Sequence, residues 1–327
     1  MGGNLFKLGR LPKAQYLEIE QEIRSYLQQK IGAENFHIPR YYADKPDFGD
    51  MDIIVSLAEI GQNWGKIKKD LINDLGISQF KSNGAVFSTV YKNFQVDYFT
   101  AEAEYFEAKY NYLSFNDLSN LIGKIYHRFG LKYGENGLLY VFRRDDTHYK
   151  KEIKISTDFR KICAFLHLDY ASWEVGFKNL PQMFDWVIKS PFFSVKPYQE
   201  ELSGGMEKRE ERRTTVQKFI NYLAENQIVK SYHYLENKAE YLPMIHSFFP
   251  EADLLNKISE EENLEKIASQ IQKKFNGNLI MEWIPGLSGK ELGRFILDFK
   301  SQFIDFEDFI LKSSLVEIKE RVIKFNN

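Results

Sequence analysis

Apolar positions first become periodic at residue 13. Over residues 13–31, Tyr16, Leu17, Ile19, Ile23 and Leu27 fall close to one stripe of a 3.6-residue period, and Gly32 stops it. The spacing predicts a surface helix with one buried face. Residues 36–42 read as a short strand and residues 51–57 as a second, β-branched and largely apolar one, with the polar turn Asp44-Lys-Pro-Asp between them. Over residues 60–75, Ile60, Trp64, Ile67, Leu71 and Leu75 are spaced by four, three, four and four, which predicts another helix. After Asn83-Gly84, two strand-like runs, 85–91 and 94–99, are joined by Lys92-Asn93. Two residues is a hairpin length, and Asn tolerates the positive φ that such a turn needs.

A helical segment over about 117–129 leads to a further expected hairpin, 137–144 and 149–155 around Asp145-Asp146-Thr147. From Thr157 the strand signal fades. Phe159, Ile162, Cys163 and Leu166 stand at i, i+3, i+4 and i+7 behind Thr157, a candidate N-cap, and the helical period runs through most of the remaining chain. The fold class is therefore α+β, a mixed-sheet region followed by a mostly helical C-terminal region. Residues 194–206 are polar and hold the pair Gly204-Gly205, so they are the most linker-like stretch. The expected domains are 1–200, with a core of about 1–140 plus a hairpin and helices, and 201–327. There is no internal repeat.

Composition narrows the class. At 43% hydrophobic and 28% charged the chain forms a core, and 327 residues exceed the roughly 250 to 300 at which single cores stop growing. Lys plus Arg is 44 against 46 Asp plus Glu, so no global field attracts nucleic acid and any polyanion site is a local patch. Cys163 is the single cysteine, which excludes an intramolecular disulfide, and no CxxC or Cys/His cluster offers a structural zinc site. With no apolar run long enough for a signal peptide and none of 18 residues, the expected setting is the cytoplasm, with no membrane partner.

The chemistry concentrates in Lys45-Pro-Asp-Phe-Gly-Asp-Met-Asp-Ile-Ile-Val-Ser. Strand side chains alternate faces, so Asp50 and Asp52 point one way while Met51 and Ile53 point into the core. Two carboxylates on one face at the mouth of a buried strand repel each other, and a bridging divalent cation reverses that cost. Asp97, in Phe94-Gln-Val-Asp-Tyr-Phe, has the same apolar flanks. If the two strands are neighbours, three carboxylates converge, and oxygen-only ligation of this kind suits Mg²⁺ or Mn²⁺. In-line phosphoryl transfer uses such a set to hold two metals about 3.5 to 4 Å apart. Gly49 leaves room for backbone N–H groups to approach a triphosphate. Asp47-Phe48-Gly49 also imitates the kinase DFG triplet, but no Gly-rich loop, strand lysine or H-R-D segment accompanies it.

Gly49-Asp50-Met51-Asp52, the following Ile53-Ile54-Val55 and the later Val96-Asp97 resemble the DNA polymerase β-like nucleotidyltransferase superfamily, which includes poly(A) polymerases and CCA-adding enzymes. The likeness is at the level of motifs over about residues 1–140, and extends to uncharacterised members that begin Met-Gly-Gly and carry an FGDxD segment. It implies a polymerase β-like domain in which Asp50, Asp52 and Asp97 are catalytic and bind two Mg²⁺ (or Mn²⁺) ions, with an NTP as donor substrate. Superfamily members usually carry a Gly-Gly or Gly-Ser turn ahead of the paired acids. Here the local candidate is Phe48-Gly49, and Gly2-Gly3-Asn4 is the alternative phosphate cradle. The expected nucleotide-binding residues are Gly2, Gly3, Asn4, Lys45, Phe48 and Gly49, joined by Arg209, Arg212 and Arg213, which share a helix face at i, i+3 and i+4. Glu207, Glu210 and Glu211 interleave with these arginines, so a solvated, ion-paired face fits them equally well.

Residues 283–296 are a turn running into a helix, with Ser288 and Glu291 as a capping box. They are similar to the PGxG turn of helix-hairpin-helix modules, with Ser288 where that pattern has its second Gly, and to the tail helix of CCA-adding enzymes. A plain capped helix is the preferred reading. Tyr232, Tyr234, Tyr241, Phe248 and Phe249 have the chemistry to stack bases, and are read as core. The preferred function is template-independent nucleotidyl transfer to an RNA hydroxyl, tRNA-like or at a 3′ end. The alternatives are transfer onto a protein side chain or small molecule, and a non-catalytic binding module on the same fold.

Overall fold

In a computed structural model of the chain, the described residues are 5–143, 150–199 and 214–326. They form two compact units, one made of Met1–Val141 with Ile153–Ala252 and the other of Phe142–Glu152 with Asp253–Asn327. The fold is α+β, with a mixed five-stranded sheet in the N-terminal part and a mostly helical C-terminal region.

The first unit starts with a strap, β1 (Leu11–Pro12), that runs directly into helix α1 (Lys13–Ile31). The buried face of α1 is Tyr16, Ile19, Ile23, Leu27 and Ile31. Leu17 departs from the expected stripe and is exposed, since one residue turns the helix by about 100°. Gly32, at φ 84°, ends the helix in a conformation that favours glycine, and its N–H bonds Gln28 O at 3.2 Å. The sheet strands are β2 (Phe36–His37), β4 (Met51–Ser56), β5 (Phe80–Asn83), β6 (Val86–Tyr91) and β7 (Phe94–Ala101), and β3 (Asp47–Phe48) pairs separately with β1. Their order is β2-β4-β7-β6-β5.

β4 and β7 are parallel, and the crossover between them contains α2 (Trp64–Asp74) and the β5–β6 hairpin. Lys92 and Asn93, at φ 49° and 61°, turn β6 into β7 with both central residues left-handed, as a two-residue hairpin requires. One sheet face, built from Met51, Ile53, Val55, Phe94, Val96 and Tyr98, packs on α1 and on Leu71 of α2. On the other face Ile54 and Ala101 meet Phe106 of α3 (Phe106–Leu113). β5 is exposed along its whole length, so it has no alternation to read, and α3 is only eight residues long. Both elements escape a periodicity reading for those reasons.

Beyond α4 (Leu118–Arg128), three strands, β8 (Leu131–Gly134), β9 (Gly137–Arg143) and β10 (Lys150–Ser156), form a second sheet in the order β10-β9-β8. The next helix, α5 (Phe159–Phe165), is capped by Asp158 rather than Thr157: the Asp158 carboxylate accepts from the N–H groups of Arg160 and Lys161. Ser288 stands at the N-cap position of the helix Gly289–Lys300, but its side chain makes no capping hydrogen bond. Of the aromatics expected in the core, Tyr241 and Phe249 are buried, Tyr232 and Tyr234 are half-buried, and Phe248 is exposed, because it stands on the outer side of its short helix. Tyr232, Tyr234 and Tyr241 pack on Phe129, and Phe248 and Phe249 on Phe165. Among the described residues no helix is long and apolar enough to cross a membrane.

Candidate metal centre

Asp50 immediately precedes β4, Asp52 is its second residue, and Asp97 is the fourth residue of β7. The parallel register sets Asp52 directly beside Asp97 and Met51 beside Val96. Side chains that are partners across a ladder share a face, so the acids stand together on one side while Met51, Ile53, Val96 and Tyr98 fill the core on the other. One carboxylate oxygen from each of Asp50, Asp52 and Asp97 lies within 4.8 Å of the others. Asp97 is buried and the other two are half-buried.

Electrostatics make this cluster costly without a cation. Burial pushes the Asp52 carboxyl well above its ordinary range, and the charges of Asp50 and then Asp97 push it further; Lys45 acts weakly the other way. Asp97 Oδ2 accepts from Gln95 Nε2 at 2.8 Å, whereas Asp97 Oδ1 is buried with no hydrogen-bond partner among the described residues. Buried carboxylate oxygens are normally satisfied, and a divalent cation held by the three acids would supply the missing partner. Three carboxylates with no nitrogen or sulfur donor fit Mg²⁺ or Mn²⁺ better than zinc.

Gln95 escapes a motif reading, although it lies two residues before Asp97 and so on the same strand face. It is buried, and its Oε1 accepts from the Leu5 N–H at 3.2 Å. With the side-chain carbonyl taken by a donor, the NH₂ end faces Asp97, which orients that carboxylate. Gln95→Leu is therefore expected to weaken Mn²⁺ binding about tenfold, the lower end for loss of a group that orients a metal ligand. Calorimetric titration of the metal alone checks this, and an unchanged affinity would show that Gln95 only fills space.

Lys45 stands on the approach to the acids. Its Nζ donates to Asn116 Oδ1 at 3.0 Å and lies 4.3 Å from the centre of the Phe48 ring. Burial pulls its pKa down to about 8 against the opposing charge of Asp50, and Arg10 adds to the lowering. Phe48 is buried, its ring stacked on Tyr16, so its side chain serves as the floor under Lys45. Gly49 lies beneath the Arg10 guanidinium. Gly2, Gly3, Asn4, Arg209, Arg212 and Arg213 lie outside the described residues, as does the Gly204-Gly205 pair of the expected linker. His37 is away from the acids, bonded to Glu107 at 2.8 Å and stacked on Phe106.

No family model and no curated protein matches the chain. Among solved structures, it is similar to polymerase beta of Leishmania infantum in a ternary P/T complex, at 16% identity and a TM-score of 0.35. The match covers 42% of this chain and 60% of the polymerase chain.

Proposed function

We propose that this chain is a metal-dependent nucleotidyltransferase of the polymerase β-like kind, moving a nucleoside monophosphate from an NTP to an acceptor hydroxyl. The observation that carries the reading is the convergence of Asp50, Asp52 and Asp97 on one sheet face with a buried, unpartnered oxygen on Asp97. Asp50 and Asp52 lie at the open start of β4, where they are half-buried and accessible to ions that also touch substrate, while Asp97 is held fixed by Gln95. Bound Mg²⁺ or Mn²⁺ supplies a lowered pKa for the attacking hydroxyl and charge neutralisation for the departing pyrophosphate. Lys45 offers a cation on the same approach, suited to an anionic donor. Leu5 hydrogen-bonds the same Gln95 that orients Asp97, which supports a role for the preceding Gly2-Gly3-Asn4 in cradling phosphate.

RNA is the proposed acceptor, because the helical C-terminal region is larger than a small-molecule transferase requires. The test is incubation with Mg²⁺ and each labelled NTP in turn, with total RNA, total protein or neither. Label in the RNA fraction is the expected result. Label in the protein fraction replaces the acceptor and keeps the chemistry. No transfer under any combination, with Mg²⁺ or Mn²⁺, removes the activity.

A further inference from the structure

We infer that the strap of residues 5–12 completes the donor side of this site, and that Arg10 is the residue on it that binds the distal phosphates of a nucleoside triphosphate. The inference rests on the nucleotidyltransferase reading and names a contact that reading leaves open. The strap is fixed at both ends. Leu11 and Pro12 pair with Phe48 and Asp47, the Lys13 N–H bonds Pro46 O at 2.9 Å, and the Leu5 N–H bonds Gln95 beside Asp97. Arg10 sits between these anchors.

Its guanidinium is oriented by two bonds to one residue. Arg10 Nε donates to Asp47 Oδ1 at 2.7 Å and Nη2 donates to Asp47 O at 3.2 Å. The remaining nitrogen, Nη1, makes no hydrogen bond among the described residues, and lies 2.9 Å from where a Cβ on Gly49 would be. Gly49 is the neighbour of Asp50, so Arg10 presents a free N–H pair within one residue of the acids. An exposed Arg–Asp pair contributes little stability by itself and does not need a glycine beneath it. A fork held flat against backbone, with one nitrogen open, suits a phosphate oxygen. Lys45 lies near enough to Arg10 for each to feel the other's charge, and it also feels Asp50 and Asp52. Lys45, within reach of the charges of Asp50 and Asp52, and Arg10, over Gly49, thus lie together on the strap side of the site. A triphosphate, whose α-phosphate is held at the acids, extends its β- and γ-phosphates toward them.

The experiment compares binding of a non-hydrolysable NTP with binding of the matching nucleoside monophosphate, both with Ca²⁺, and of Mn²⁺ without nucleotide. In wild type the NTP binds more tightly than the monophosphate. Arg10→Ala is expected to weaken NTP binding about tenfold, the loss of one charge-assisted contact, with monophosphate and Mn²⁺ binding unchanged. Arg10→Lys should not restore affinity, since a single ammonium cannot hold Asp47 and a phosphate in that geometry. Undiminished NTP affinity in Arg10→Ala overturns the inference, as does a parallel loss of Mn²⁺ binding, which would make the strap purely structural. A wild type that does not distinguish triphosphate from monophosphate overturns the nucleotidyltransferase reading itself.

Discussion

Asp52→Asn is expected to abolish nucleotide transfer, with kcat falling about 10³-fold or more, while raising the melting temperature of the metal-free protein. The two effects have one cause. Asp52 stands beside Asp97 in the β4–β7 register and within 4.8 Å of Asp50, so in the absence of a cation three carboxyl groups crowd a face that is partly shielded from water, and ionising all of them is costly. Burial first, and the neighbouring charges second, hold the Asp52 carboxyl well above its usual range. The amide keeps the shape and removes both the repulsion and the metal ligand. A gain of up to about 1 kcal/mol, or 1 to 2 °C for a chain of this size, is in proportion for relief at one site. Turnover assays paired with thermal melts test it. Retained turnover in Asp52→Asn would remove the metal mechanism, and a marked fall in melting temperature would mean that the carboxylate is structurally satisfied.

Mn²⁺ is expected to stabilise the wild-type protein by an amount that grows with pH. At a concentration 100 times its Kd, a ligand specific for the folded state contributes about 2.7 kcal/mol, roughly 4 °C for a chain of this size. The pH dependence follows from the sign of the Asp52 shift. Its folded pKa is raised, so between the ordinary carboxylate value and the raised one the folded protein retains a proton that the unfolded chain has released. Stability of the metal-free protein therefore declines as pH rises through that window. Cation binding needs ionised carboxylates and is strengthened over the same window. Melts with and without Mn²⁺ across a pH series should diverge as pH increases, and in Asp97→Asn the divergence should collapse. Equal Mn²⁺ shifts in the variant and wild type would place the ion elsewhere.

Local pattern carries much of the fold. The α1 stripe, the Gly32 stop and the two-residue turn at Lys92-Asn93 depend on contacts within a few residues, so each is legible in the chain and present in the structure. The same holds for the shared face of Asp50 and Asp52, because strand alternation has a period of two. Short elements such as α3 and β8 carry too few residues for a period. The capping aspartate of α5 was one position from the expected threonine, since Ser, Thr, Asp and Asn compete for that role on similar terms.

The sequence by itself determined the residue types of the site, the class of the fold and the side of each strand on which the acids stand. Tertiary structure alone decided that β4 and β7 are parallel neighbours in the register that sets Asp52 against Asp97. It also decided that Gln95 fixes one Asp97 oxygen and leaves the other bare, and that Arg10 folds back over Gly49. The β4–β7 pairing, the Leu5 N–H that turns the Gln95 amide toward Asp97, and the Arg10 fold-back join residues far apart in the chain. Nothing local selects them: they are fixed when the apolar faces of α1 and α2 close on the sheet and bring distant strands and the strap together.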